Sequence, residues 1–480
     1  MYEWLNNCLL TFRKCFTREA SFKWYVIIVV GMMIRQDHLG VSSIIRELEI
    51  DPRWYETMLH FFRSGAWSLN GITGWWVQVV ALQGGLFCEG DMPILVGDGV
   101  KQGKEGRRMP AVKRLHQESE TVSKSPYIFG HMFGAIGILV GNANKLFCVP
   151  LSMRIHDGDA QIRKWSGEAV DNESHVVRTI KEACTVAAIL CRKSILLLDR
   201  YYLSVPALTA LTNEETRAGK PLLSLVIRAK RNPTAYEEPE RNERGRPRKK
   251  GAKVKVGELF TTHLQEFKKA VVTMYGKEES VLYYSCDLLW GKKLYKKLRF
   301  VLVLQGEIRS IFVSTDLTLT PEQILKLYGY RFKIECSFRE FKQVVAGFAY
   351  RFWSFSMPRL NRFSKKGYDP LETITCDADK ERISNAFNAI QGFVMVAAIA
   401  FGLLQICASR FAHEITAPKF RWLRSRTNET PSEATTAHFM RKTIFRMLAF
   451  RPDLLIMRFI LERQPVCYDD SQNANTPVGA

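Results

Sequence analysis

Four residues around position 330 have the types and the spacing to work on a phosphate. Tyr328, Arg331 and Lys342 stand at −7, −4 and +7 from Glu335. On an α-helix these offsets gather all four side chains near one face, over about four turns. A carboxylate flanked by a tyrosine, an arginine and a lysine suits gripping phosphates around a metal; the same stripe also suits a solvated polar face. The helix is predicted over Thr320–Val345. Thr320 can cap it, Pro321 is tolerated in the first turn, and Gln323 completes a capping box. Gly329 is its one interruption, and Arg339 and Glu340 fall off the polar face.

Two more acids are offered by apolar segments. Ile94–Val96 reads as a short strand ending at Asp98, which is flanked by Gly97 and Gly99. Ile195–Leu198 reads as a strand covered on both faces and ending at Asp199. An ordinary turn suits Asp98 as well, and Asp199 could cap a helix near 204–211. Together Asp98, Asp199 and Glu335 form an oxygen-donor set of the kind that two Mg²⁺ ions need for displacement at phosphorus. Asp157, Asp159, Asp287 and Asp316 compete for that role. The first two lie in a turn-like HDGDA string, and Asp316 suits the cap region of the 320–345 helix. After Asp98 comes a basic loop with Lys101, Lys104, Arg107, Arg108, Lys113 and Arg114, which suggests a polyanion in the same cleft.

Bulk composition points the same way. The 480 residues carry 69 Lys+Arg against 48 Asp+Glu, a formal net charge of +21. So basic a chain usually meets a polyanion, nucleic acid first and a membrane surface second. The 11 cysteines are scattered, without the pairs that structural zinc sites use, and fit a reducing cytoplasm. The run Ile390–Ala408 is nearly uncharged, but Gln391 and Gln405 dilute it, so a buried core helix is expected rather than a membrane span.

The elements that must position these groups follow in chain order. Residues 1–85 read as helical, with two short helices around Ile50–Pro52 in a helix-turn-helix layout, the second opened by Trp54 and Tyr55. Strands at 130–140 and 145–151 make a meander with the Asp98 strand, and a helix over 172–191 leads to the Asp199 strand. Residues 231–256 are charged and poor in large apolar residues. There Arg244 and Arg246 flank Gly245 in an Arg-Gly-Arg-Pro string that suits either a minor-groove grip or a solvated linker. β-rich pieces fill 258–316 and suggest a small β-subdomain or an extension of the sheet. After the Glu335 helix, YRFWSFSMPRL is aromatic and basic, suited to base stacking or to ordinary packing. The basic C-terminal region reads as helical. Five regions result: 1–85 helical and DNA-binding, 86–230 the first part of a catalytic core, 231–305 a basic linker and β-rich insertion, 306–350 the second part with the Glu335 helix, and 351–480 helical, for dimerisation or DNA contact.

Tyr328, Arg331, Glu335 and Lys342 match Tyr-x₂-Arg-x₃-Glu-x₆-Lys at every spacing. On this signature, with Asp98 in VGDG and Asp199 in LLLDR, the chain resembles bacterial insertion-sequence transposases of the DDE class, in the group marked by the YREK signature. The resemblance covers about residues 90–350, and the two ends only loosely. It implies an α/β fold: a ribonuclease H-like mixed-sheet core with a mostly β insertion, for which the 136 residues between Asp199 and Glu335 leave room. It implies that Asp98, Asp199 and Glu335 hold two Mg²⁺ ions, with Mn²⁺ as a substitute. Arg331 and Lys342 would contact transposon-end phosphates, and Tyr328 would help position them. Family members can stack a tryptophan of the insertion on a flipped base, and Trp290 is the candidate. The expected partners are double-stranded DNA, as transposon ends and target, and a second copy in a cytoplasmic homodimer, with no membrane. A decayed, purely DNA-binding relative and another ribonuclease H-like nuclease are the rival expectations.

Overall fold

Ile94, Leu95 and Val96 are fully buried, as are all five residues of Ser194–Leu198. Such unbroken apolar runs belong to strands covered on both faces. In the computed structural model they lie side by side. The described residues are 1–480 except 38–39, 118–124, 143–144, 169–172, 241–247, 275–276, 362–368, 417–429 and 466–480.

Among the described residues the chain is mixed α/β, with a mixed sheet of 13 strands. Its first half is built from β1 (Met92–Gly103), β2 (Tyr127–Asn142), β3 (Lys145–Ile155), β4 (Ser194–Leu198) and β5 (Leu223–Arg228). β1, β2 and β3 form the expected antiparallel meander, and β4 then pairs parallel with β1 and with β5. Parallel neighbours need crossovers, and two helices supply them. The helix His175–Leu190 precedes β4. The helix Val205–Ala218 precedes β5, capped by Ser204 Oγ on the Ala207 N–H at one end and closed by Gly219 in the left-handed region at the other.

The β-rich second half extends the sheet. β6 (Lys268–Met274), β7 (Lys277–Trp290), β8 (Lys296–Gln305) and β9 (Ile308–Ser314) continue the same sheet, with β9 pairing antiparallel to β5. The long strands run in the order β3-β2-β1-β4-β5-β9-β8-β7-β6.

Two sequence expectations are corrected. β1 does not end at Asp98. β4 stops at Leu198, but β2 goes on supplying hydrogen-bond partners as far as the Gly103–Gly130 pair, so Asp98 lies within the strand. Part of the basic loop, Lys113–His116, is also a strand, paired with the start of β2.

The helix expected over 320–345 is likewise two helices, Pro321–Gly329 and Lys333–Gln343. The capping box is present: Thr320 Oγ1 accepts from the Gln323 N–H at 3.2 Å, and Gln323 Oε1 accepts from the Thr320 N–H at 2.8 Å. After Gly329, the poorest helix former in the interior of the stretch, the N–H groups of Tyr330, Arg331 and Lys333 to Glu335 bond three residues back rather than four. The tightened turn breaks the common face that an uninterrupted helix would have.

Helices cover the sheet. The predicted pair near position 50 is present as Ser42–Glu47 and Tyr55–Phe61. Asp377–Arg410 is long and apolar enough to cross a membrane by length and composition, and its apolar stretch is wholly buried in the fold, against β3 and the helix Glu19–Ile34. The basic segment 440–451 falls largely on the helix Glu433–Phe450.

Candidate active site

The parallel pairing of β1 and β4 sets Val96 opposite Leu197. That is the last bonded pair; Asp98 and Asp199 each lie two residues beyond it, Asp98 within β1 and Asp199 just past the end of β4, close enough for the charge of Asp199 to act on Asp98. Each carboxylate is steadied by a neighbouring backbone N–H: Asp98 Oδ1 accepts from Gly99 at 2.8 Å, and Asp199 Oδ1 from Arg200 at 2.6 Å. Asp199 thereby opens the short turn Arg200–Tyr202, while Ser204 serves as the cap of the following helix.

Glu335 is delivered from the first turn of the Lys333–Gln343 helix, which packs against β1 and β3. Ser337 of that helix donates from Oγ to the Cys148 carbonyl oxygen at 2.8 Å, fixing it on the sheet. Arg331, in the tightened turn, joins the acids. Its Nη2 lies 2.5 Å from Asp98 Oδ2, and its Nη1 is bonded to Glu335 Oε1. Burial pushes the Asp98 carboxyl up to about 6, against the pull of Arg331 and the Gly99 N–H, and the charges of Asp199 and Glu335 add to the rise. Burial works against the Arg331 cation, but the three acids together hold its pKa above the ordinary value.

The competing acids are committed elsewhere. Asp159 takes both terminal nitrogens of Arg178 at 2.9 Å, Asp287 is held by Arg299 at 2.9 and 3.0 Å, and Asp157 meets Lys113 at 2.7 Å. Burial alone would raise the Asp316 pKa, but bonds from Lys193, Thr318 and Ser224 hold it well below the carboxylate range.

The other candidate residues are placed unequally. Tyr328 does not share an outer face with Arg331: it is buried, with its ring 4.8 Å from that of Phe312. Lys342 is half-buried near the end of the Glu335 helix, its Nζ 5.8 Å from the Phe348 ring centre. Trp290 ends β7, half-buried against the core, and is not among the side chains gathered at Asp98. Arg244 and Arg246 lie outside the described residues.

The basic loop is less free than its composition suggests. Lys101 donates to the His116 carbonyl oxygen, and Lys104 to those of Phe348 and Tyr350. Burial drops the Lys104 pKa to about 7. Arg107, Arg108, Arg351, Trp353 and Arg359 line an open cleft of about 800 Å³. A neighbouring cleft of about 690 Å³ shares Arg351 and Trp353 and adds Tyr55, Arg63 and Arg382. The carboxylates line neither cleft.

Among the described residues, no three His, Cys, Asp or Glu side chains stand close enough together to hold a metal ion as placed. The Arg331 guanidinium lies between Asp98 and Glu335. The donor set nonetheless fits a hard divalent cation. It consists of carboxylate oxygens, the donors that such a cation takes, and burial disfavours the bare Asp98 anion.

One assembly beside the acids had no motif to announce it. Tyr202, three residues after Asp199, is bonded through its hydroxyl to His175, which is bonded to His156 and through it to Glu182. The glycine after Asp98 was the available signal, for it clears the space that His175 fills. No protein-family model, curated protein or solved structure matches the chain.

Proposed function

We propose that this chain is a DDE transposase of the insertion-sequence type, cutting and joining DNA strands at the inverted terminal repeats of its element. The observation that carries the reading is Arg331 bonded to both Asp98 and Glu335, with Asp199 near enough for its charge to act on Asp98. The ribonuclease H-like reading of the fold is supported by the order β3-β2-β1-β4-β5. There a three-strand meander is followed by two parallel strands, and the acids sit at the β1–β4 junction.

Asp98, Asp199 and Glu335 would hold the Mg²⁺ ions. When bound, these ions supply the charge that activates an attacking oxygen and stabilises the leaving one in an in-line displacement at phosphorus. The chain's own residues do the positioning. Arg331, held charged between two acids, can swap a carboxylate for a phosphate oxygen of the same charge sign. Lys342 adds a second cation about two turns further along its helix. The clefts lined by Arg107, Arg351, Trp353 and Arg382 offer the backbone contacts and aromatic surface that a DNA end or flank requires. A second copy completing the synapse and a cytoplasmic site of action belong to the same proposal.

The test is a duplex carrying the DNA that flanks this reading frame, incubated with the chain and Mg²⁺. Strand nicking at a repeat boundary is expected, and Asp98→Ala, Asp199→Ala and Glu335→Ala should abolish it while retaining the gel shift. Full cleavage by any of the three variants would refute the site, and binding without cleavage by the wild-type chain would favour a purely DNA-binding protein.

A further inference from the structure

The histidines behind Asp98 are joined in a single buried line. His156 is 4% exposed and His175 is half-buried. His175 Nε2 lies 2.9 Å from the Tyr202 hydroxyl, His175 Nδ1 lies 2.8 Å from His156 Nδ1, and His156 Nε2 lies 2.9 Å from Glu182 Oε1. Glu182 is held ionised: burial would raise its pKa, but His156, Arg154 and Arg178 bring it below the ordinary value. A carboxylate only accepts, so His156 must donate from Nε2. Its Nδ1 is then free to accept from His175 Nδ1–H, and His175 Nε2 accepts from the Tyr202 O–H. With one proton on each imidazole, every donor along the line points toward Glu182. This arrangement requires a neutral His175, and burial depresses the His175 pKa to about 3.

The backbone is cut away to admit these rings. Gly99 on β1 faces Gly134 on β2. A Cβ at Gly134 would fall 1.9 Å from His156 Cε1, and one at Gly99 would fall 2.4 Å from Met132 Cε and 2.7 Å from His175 Nε2. Residue alternation sends Gly99 to the face of β1 opposite Asp98. The His175 ring therefore presses on the back of the strand one residue past the Asp98 carboxylate. Through Tyr202 the same ring reaches the other aspartate, because the Tyr202 N–H closes the turn by donating to the Asp199 carbonyl oxygen at 3.0 Å.

We propose that His175 is a positioning residue that ties the Asp98 strand to the Asp199 turn through Tyr202, with His156 and Glu182 fixing its tautomer, and so sets the spacing of the two aspartates for a divalent cation. The proposal rests on the active-site reading above. It concerns two carboxylates on separate chain segments, whose spacing β1–β4 pairing leaves to the turn after Leu198, where that pairing has ended.

The experiment is Mn²⁺ titration of the full chain without DNA, read as the rise in melting temperature. The wild-type chain should show a rise that Asp98→Ala removes. In Tyr202→Phe and in His175→Leu the Mn²⁺ concentration at half-rise should increase roughly 10-fold or more, the scale found for groups that orient metal ligands. The double variant should be no worse than the single ones, because both act through one bond. If His175→Leu does not fold, Tyr202→Phe, which loses one oxygen, and Glu182→Gln carry the same test. An unchanged midpoint in Tyr202→Phe, additive losses in the double variant, or no Mn²⁺ response in the wild-type chain would each overturn the proposal. A wild-type chain that binds Mn²⁺ with these dependences but nicks no duplex would instead refute the transposase reading alone.

Discussion

Arg331 Nη2 lies 2.5 Å from Asp98 Oδ2, across 233 residues of chain. The arginine stands in a tightened turn between two helices and the aspartate within a strand, so only the packing of the Lys333–Gln343 helix on the sheet brings them together. Removing the guanidinium strands two carboxylates. Arg331→Ala is expected to cost about 2 kcal/mol in urea unfolding, the scale for leaving a partly buried charge without its partner. It should also lift the Asp98 pKa above its already raised value, which carbonyl-edited NMR titration of the side chain would register.

The raised Asp98 pKa sets a direction for pH dependence. With about 6 in the folded chain against an ordinary 3.8, the folded state binds the extra proton between roughly pH 4 and 6. Stability from this group is therefore present on the acid side and is lost as pH rises through 6. The Asp98→Asn chain has no such proton to lose. The stability difference between Asp98→Asn and the wild-type chain should shift in favour of the variant by a few kcal/mol from pH 4 to pH 7.5 without added metal. Chemical denaturation at a series of pH values would measure it, and a flat difference would contradict the burial of this carboxylate.

Lys342 is half-buried beside Phe348, and burial lowers its pKa. Lys342→Ala should weaken the binding of cleaved ends more than that of uncleaved duplex. It should also reduce the slope of log affinity against log salt by about 1, the signature of one lost phosphate contact. Fluorescence anisotropy across a salt series gives both quantities.

Arg35 is 1% exposed and forms no ion pair among the described residues. Its guanidinium instead donates to the carbonyl oxygens of Gly40 at 2.8 Å and Ala346 at 3.0 Å, and to that of Val345. It thus ties the N-terminal helices to the end of the Glu335 helix. Arg35→Met should cost about 2–4 kcal/mol, because buried carbonyls lose their donors, and Arg35→Lys should recover little of it, lacking the planar fork. Thermal and urea melts would decide this.

Much of the site was legible in the amino-acid sequence because the relevant signals are local. Ile94–Val96 and Ile195–Leu198 read as covered strands next to an acid; the Thr320–Gln323 capping box and the −4 spacing of Arg331 from Glu335 needed only neighbouring residues. Types and offsets along one chain were enough to place Asp98 and Asp199 beside covered strands and Glu335 on a helix four residues after Arg331. The reading of four side chains on one helix failed at Gly329, where three-residue bonds replace four-residue ones and turn Tyr328 into the core. That outcome depends on Phe312 and the sheet beneath, which no helical spacing records.

Sequence alone therefore determined which residue types were available, their spacing, and the basic, apolar-strand character of the segments that hold them. Tertiary structure decided the rest: that Asp98 and Asp199 follow strands paired side by side, that Arg331 bridges Asp98 and Glu335, that Lys104 is turned inward on carbonyl oxygens, and that Gly99 and Gly134 make room for two imidazoles. Each of these joins residues far apart in the chain. Such contacts form only when the sheet closes over its apolar strands and burial makes an unmet hydrogen bond costly.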